Sequence, residues 1–549
     1  MTTSALDRQL ERQKQLNGIG IALSRERNID SLLETILNAA KEITHADGGT
    51  LYRLSDDGSA LRFTIIRNDS LNIAMGGTTG TPINFPDVPL RNESGEPNNA
   101  AVAAYAAIHD RTVNIVDAYN APGFDFSGTR KFDERTGYRS MSFLTVPMKN
   151  HENEIIGVLQ LINARQPENQ SVIAFSSEDQ ELAESLASQA AIALTNRLLI
   201  NQLEELFEAF IGMLNTAIDE KSPYTGGHCQ RVPELTLMIA DALDQDQKGP
   251  LAGFHMSEKD RYELKIAGML HDCGKVTTPV HVVDKATKLE TIVDRIHLLD
   301  TRFEVLKRDT EIRALNKMLS LSANRQSEIE SIGTTLQNEL AALEQDRDFL
   351  RRANRGGEAM SDEDIARIHS LSRKYRWQGP DGRETDFLSP NELENLTIRA
   401  GTLTAAEREV INYHIVATIK MLKRLPWPRH LLRVPEYAGG HHERMDGKGY
   451  PNGLKREQMS IPARIMGIAD IFEALTAADR PYKPPMKISQ ALQILGKFSA
   501  GGHIDPDIFA VFVRQKVYLA YAQKYLNASQ IDAVDEGSLP GLAAEALLR

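Results

Sequence analysis

The stretch HHERMDGKGYP runs from His441 to Pro451. Two adjacent imidazoles open it, and a loop built on Gly447, Gly449, Tyr450 and Pro451 closes it. Glycines at such spacing let the backbone turn tightly, so a base or ribose can come close to it. Tyr450 is then either a substrate contact or a residue that only orders the histidine pair. A histidine doublet invites a search for partners. Upstream stand His228 in YTGGHCQRV, His271 and Asp272 in MLHDCGK, and His414 in INYHIV; downstream stands Asp470 in IMGIADIFEAL. Imidazole nitrogens with hard carboxylate oxygens suit Fe, Mn, Co or Zn, and they lack the thiolates of a structural zinc site. Ile266, Met269 and Leu270 precede the His271-Asp272 pair, which places two ligand types at the end of an apolar helix. A carboxylate in that position can bridge two cations and help activate water between them. Asp470 sits on a strongly apolar helix, where an unpaired carboxylate is costly to bury, so it must be paired or metal-bound.

Such a set suits phosphodiester cleavage. That reaction needs a nucleophile in line with the leaving oxygen and positive charge on the non-bridging oxygens, and two cations about 3.5–4 Å apart provide both. Lys275, one turn after the His271-Asp272 pair, adds charge on the same helix face as His271.

Residues 215–515 resemble the HD-GYP family, a branch of the HD-domain phosphohydrolases whose members hydrolyse cyclic di-GMP. The likeness rests on YTGGHCQRV, HDCGK, HHERMDGKGYPNGL, IPARIMGIADIFEALTAADRPYK and AGGHIDP. It implies that His228, His271, Asp272 and Asp470 hold one metal, and that Asp272, His414, His441 and His442 hold a second, with Asp272 bridging. It further implies that Lys275 approaches the scissile phosphate and that Arg480 and Lys483 hold phosphate. Two divalent transition-metal ions, Fe or Mn, are the implied cofactors. Relatives with a third metal carry a glutamate where this chain has Tyr224, so two are expected. Cys273 replaces an aliphatic residue, Glu473 stands where Asp is common, and the stretch from Asp470 to Arg480 is one residue longer than the family's pattern, which puts the roles of Arg480 and Lys483 in doubt.

The largest departure is an insertion at about 290–400. Leu299, Phe303 and Leu306 form one helical stripe and Leu336, Leu340, Leu343 and Leu350 another, each among polar residues. His271 and His414 must reach one cluster, so the ends of the insertion must meet. A helical hairpin turning near Ser320–Asn324 satisfies this, with arms of about 30 residues and roughly 45 Å. The polar, Gly-containing stretch 354–390 reads as loops.

Ahead of this domain, 26–197 reads as α+β: a helix at Ile29–Ile43, then strands at Gly49–Leu54, Leu61–Ile66, Thr112–Asn114, Ser142–Met148 and Ile155–Ile162. It resembles a GAF domain, most of all in SFLTVPMKNHENEIIGVLQLIN and FSSEDQELAESLASQAAIALTN. Of the Asn-Lys…Phe…Asp-Glu pattern of cyclic-nucleotide GAF domains, Asn163, Phe175 and Asp179 match while Ala164 and Gln180 do not, so ligand identity does not transfer. Residues 1–25 read as a helix. In 198–220, Leu199, Leu203, Leu206, Phe210, Met213 and Ala217 recur in a 4-3-4-3-4 seam, either a surface helix on its own domain or the stalk of a parallel dimer.

The expectation is therefore a multidomain chain. It comprises an N-terminal helix (1–25), a GAF-like sensor (26–197), a stalk (198–220), an all-α HD-GYP domain (221–525) with a helical-hairpin insertion, and a tail (526–549). Its 549 residues exceed one core. Two cysteines, Cys229 and Cys273, exclude a disulfide framework. The polar start MTTSALDRQLERQKQL and the lack of long apolar runs predict a cytoplasmic, non-membrane protein. A net charge of −12 without a basic domain argues against long nucleic acid but allows a small phosphate ligand. Expected partners are a cyclic dinucleotide, a small ligand at the GAF-like domain and a second copy of the chain. Two readings compete with the hydrolase. One is a catalytically weak cyclic-dinucleotide receptor acting through proteins that contact the insertion. The other is an iron oxygenase, which would share the ligands but not the Gly-Tyr-Pro loop.

Overall fold

The computed structural model describes residues 17–23, 26, 28–221, 227–321, 325–357, 359–379, 381–478 and 485–542. They fall into two compact units, Met1–Phe207 and Glu208–Arg549. Of the expected N-terminal helix, 17–23 is helical and most of the rest lies outside the described residues.

In the first unit, Asn28 caps helix α1 (Ile29–Ile43) by accepting from the Ser31 amide. The strands are β1 (Ala46–Leu54), β2 (Ala60–Asn68), β3 (Ile73–Gly76), β4 (Val88–Pro89), β5 (Val113–Ile115), β6 (Phe143–Lys149), β7 (Ile155–Arg165) and β8 (Val172–Ile173). They form one antiparallel sheet in the order β3-β2-β1-β7-β6-β5, with β4 on β2 and β8 on β7. Helices α2 (Val102–His109) and α3 (Ser127–Thr136) interrupt the strands, and α4 (Ser177–Lys221) follows. Leu33, Ile36 and Leu37 of α1 and Leu186, Ala190 and Leu194 of α4 pack on Leu51, Leu144 and Leu159 to form the main core. A cavity of about 490 Å³ borders the sheet, walled by Tyr52, Phe63, Phe85, Phe132 and Phe143.

The second unit is mostly helical. It contains α5 (His228–Gln245), α6 (Glu258–Leu270), α7 (Val280–Val283), α8 (Ile296–Leu319), α9 (Gln326–Asn354), α10 (Asp362–Lys374), α11 (Pro390–Leu396) and α12 (Ala405–Leu422). After these come α13 (Val434–Gly439), α14 (Ile461–Thr476), α15 (Ile488–Ala500), α16 (Pro506–Arg514) and α17 (Val517–Tyr525). The hairpin expected in the insertion is present as α8 and α9, of 24 and 29 residues, or roughly 36 and 44 Å. The loops expected over 354–390 are not what forms. Ser361 caps α10, and β9 (Arg376–Gln378) pairs with β10 (Glu384–Asp386). These pieces close a separate core with the hairpin base, in which Phe303, Leu350, Ile368, Leu371, Phe387 and Leu396 meet. The insertion is thus a small domain and not a bare hairpin.

Its two ends meet as the shared centre required. Thr402 Oγ1 donates to the Lys285 carbonyl at 2.8 Å, and the buried Lys285 ammonium bonds Asn395 and Glu407. Glu407 also completes the capping box of α12 with Thr404. Beyond α17 the chain packs back: Gln530 Nε2 donates to the carbonyls of Thr476 and Met486. No described helix is long and apolar enough to cross a membrane.

Candidate metal centre

Three helix ends and two helix faces converge. His228 opens α5, after Gly227 with a φ of 83°. His271 ends α6, and Asp272 leads into a 3-10 turn at Cys273–Thr277. His441 and His442 follow α13. His414 projects from α12 and Asp470 from α14. Gly274 allows the convergence, because a Cβ there would run into the His414 carbonyl and the Thr418 amide. Thr418 Oγ1 bonds both the Gly274 amide and the His271 carbonyl, tying the turn to α12.

Each anchored ring turns Nε2 inward. His271 Nδ1 donates to Gly268 O at 2.7 Å, His414 Nδ1 to Ile411 O at 2.6 Å, and His441 Nδ1 to Ala438 O at 2.7 Å. His228 differs, its Nδ1 bonding the Glu473 carboxylate. Asp272 stands between the two halves. Its Oδ2 lies 3.3 Å from His228 Nε2 and 3.4 Å from His271 Nε2, while Oδ1 lies 3.4 Å from His414 Nε2. Asp470 Oδ1 is 3.2 Å from His228 Nε2, and His442 Nε2 is 3.1 Å from His414 Nε2. His228, His271 and Asp272 form one potential ligand group, and His414, His441 and His442 another.

These residues fit metal ions. Donors at about 2.1 Å around a tetrahedral or octahedral ion sit roughly 3.0–3.4 Å apart, which matches the spacings above. His441 Nε2 is buried with no hydrogen-bond partner among the described residues, although it points into the cluster. Burial, with His442 and His271 nearby, pushes His441 far below the usual histidine range, and burial lowers His442 to about 4. Both rings are therefore neutral and able to donate. Asp272 and Asp470 stay ionised although burial opposes it: Lys275 and His271 hold the former down, His228 and His271 the latter. His228 is pushed up in spite of burial, because Glu473, Asp272 and Asp470 surround it with negative charge.

Lys275 lies in the 3-10 turn and not on a continuing helix face, and its Nζ reaches Asp272 Oδ2 at 2.6 Å. Asp272 keeps it charged against the effect of burial. Tyr450 is also at the centre, its ring stacked on His442 at 4.8 Å and 19°, and its amide donates to the His442 carbonyl. Glycine is required at 449, where a Cβ would strike the Glu443 and Arg444 backbone. Cys273 is a buried thiol. Arg480, Lys483 and Tyr224 lie outside the described residues.

Two supporting carboxylates escaped the sequence reading. Glu473 was noticed only as a departure; it is fully buried, bonds His228 and accepts from Arg231 Nε at 2.7 Å. Glu443, also buried, accepts from the Asn452 and Leu454 amides at 2.8 Å and fixes the Gly-Tyr-Pro loop. Glu473 lies one turn after Asp470 on the same apolar helix, and that spacing was the available signal.

Residues 28–194 match the GAF domain family, while 225–346 and 387–508 each match HD-domain families. The gap between the two HD matches falls within the insertion. Among curated proteins, a 3'3'-cGAMP-specific phosphodiesterase of Vibrio cholerae is 46% identical over 103 residues, 19% of this chain and 22% of its own. A cyclic di-GMP phosphodiesterase of Pseudomonas aeruginosa is 43% identical over 74 residues, 14% of this chain and 17% of its own. Another, from Thermotoga maritima, is 33% identical over 122 residues, 22% of this chain and 32% of its own. This chain thus spans a third or less of the length of these relatives. The solved GAF domain of an Acinetobacter phosphoenolpyruvate-protein phosphotransferase aligns at 14% identity and a TM-score of 0.26, covering 35% of this chain and 98% of that one. With the histidine–aspartate centre and the Gly-Tyr-Pro loop in place, the matches identify the chain as a member of the HD-GYP family with an N-terminal GAF domain.

Proposed function

We propose that the chain is a metal-dependent phosphodiesterase that hydrolyses a cyclic dinucleotide, cyclic di-GMP foremost, to the linear dinucleotide, GMP or both. The observation that carries this reading is Asp272, whose two oxygens face the two histidine groups separately. His228, His271, Asp272 and Asp470 would hold one ion, and Asp272, His414, His441 and His442 the other, with Fe or Mn as the metals. Such a pair activates water and neutralises phosphate charge when bound. The chain's own residues do the rest. Asp272 would be shared by both ions, Lys275 would offer its ammonium to a non-bridging phosphate oxygen, and Tyr450 and Glu443 shape the loop beside the histidine pair. Arg480 and Lys483 are assigned to phosphate from the family resemblance alone.

Control is assigned to the sensor at 26–197, which takes a small ligand, through the stalk at 198–220. The exposure of the seam supports a dimer. Leu203, Leu206 and Phe210 are 64%, 66% and 52% exposed, while Ile211, Asn215 and Ile218 of the same helix are buried, so the apolar seam is the face left open for a second helix. A cytoplasmic location fits the redox state implied by two free, buried cysteines.

The test is anaerobic loading of purified protein with Fe(II) or Mn(II), followed by incubation with cyclic di-GMP and with mixed cyclic dinucleotides. Products are resolved by chromatography. Tight binding of these ligands without any product would favour the receptor reading, and no binding at all would refute both.

A further inference from the structure

Four histidines of the centre are anchored through Nδ1, and one anchor is unlike the rest. His271, His414 and His441 each use the carbonyl three residues earlier in the chain. His228 cannot, because it is the first residue of its helix and Gly227 precedes it in a left-handed conformation. Its Nδ1 meets the Glu473 carboxylate instead, and Arg231 clamps that carboxylate from the other side.

The geometry assigns Glu473 as the positioning residue that makes the His228–His271–Asp470 half of the centre the stronger metal subsite, filled first and released last. This inference rests on the two-metal reading above. A carboxylate behind an imidazole polarises the ring N–H and raises the donor strength of the opposite nitrogen. A backbone carbonyl does so less, because it carries no net charge. Asp470 adds a second full charge to this half, and Asp272 is shared by both. The other half offers three imidazoles and its share of Asp272. Glu473 is fully buried, so little solvent screens its charge. Asp470 and Glu473 lie one turn apart on α14, and one helix therefore supplies a ligand and the support of its neighbour.

The experiment titrates metal-free full-length protein anaerobically with Co(II), reading bound metal by equilibrium dialysis and coordination by the visible absorption spectrum. Wild type should show two steps, with the tighter one retained in His414→Ala. Glu473→Gln keeps an oxygen to accept the His228 N–H but removes the charge. It should weaken the tighter step about 10–100-fold, shift its spectrum and spare the weaker step. If Glu473 merely holds the ring in place, both steps stay unchanged, and the assignment is overturned. It is equally overturned if His414→Ala abolishes the tighter step, an outcome that decides the matter even should Glu473→Gln fail to fold. Absence of any Co(II) binding would instead reject the metal centre itself.

Discussion

Lys275 Nζ lies 2.6 Å from Asp272 Oδ2, so the residue assigned to phosphate is held by the residue assigned to bridge two ions. Lys275 donates charge without occupying a ligand position. Lys275→Ala is therefore expected to retain both ions and the native melting transition while kcat falls about 100-fold or more, as for loss of one preorganised electrostatic contact. Metal analysis beside steady-state kinetics checks this, and an unchanged kcat would remove Lys275 from the chemistry.

Removing the bridge should act on both halves at once. Asp272→Ala is expected to leave less than one ion per chain, whereas His414→Ala should leave about one. Elemental analysis of the purified variants distinguishes them. Equal losses in the two variants would mean that Asp272 does not bridge.

Gly274 touches α12 so closely that a methyl group has no room. Gly274→Ala should push the Cys273–Thr277 turn away from His414, at a cost of about 1–3 kcal/mol in stability. Occupancy should fall chiefly in the half that contains His414. A variant with wild-type stability and metal content would show that the two segments part without consequence.

A pH effect is expected at the base of the insertion. Lys288 is buried, and its ammonium donates to the carbonyls of Leu396 and Ile398 at 3.2 and 2.7 Å. Burial lowers it from its ordinary 10.5 to about 8. Between those values the unfolded chain binds the proton and the folded chain does not, so this group makes folding more favourable as pH rises from about 8 to 10.5. Below about 8 both forms are protonated and the penalty of the buried charge is complete. The stability difference between wild type and Lys288→Met, measured by urea unfolding at several pH values, should shift in favour of wild type across that window. A difference independent of pH would refute the lowered value.

The apolar seam on α4 should respond to charge. Phe210→Asp places like charges face to face in a parallel pair and should weaken association at least about tenfold. Metal content should stay intact, because Phe210 is far in sequence from every ligand. Sedimentation velocity reads the first effect and elemental analysis the second. A variant as dimeric as wild type would mean that the pair forms elsewhere.

Residues whose burial is costly were the legible ones. Asp470 stood out because an apolar helix cannot hold a carboxylate without a partner, and the same argument applied to Glu473 would have found the His228 anchor. The long strands of the sheet showed as strand-like runs separated by turn signals, but β3, β4 and β8 have only 4, 2 and 2 residues, too short to stand out as runs. Helix α2, VAAYAAIH, is apolar on nearly every side and has no stripe to read. In the insertion, polar composition hid α10, although Ser361 and the acids Asp362, Glu363 and Asp364 are a strong start signal. Position in space was out of reach: no sequence period reveals that α10 and Phe387 close a core with the hairpin base.

That separate core bears on how the chain reaches its folded state. The His271 and His414 segments meet only after the whole insertion has been accommodated, and joining distant points of a disordered chain costs entropy that grows with the logarithm of its length. An insertion that first collapses on Phe303, Leu350 and Phe387 brings Lys285 and Thr402 together in advance. The contact order felt by the late-forming half of the centre is then that of a short loop, and nascent chains can assemble the insertion before α12 leaves the ribosome.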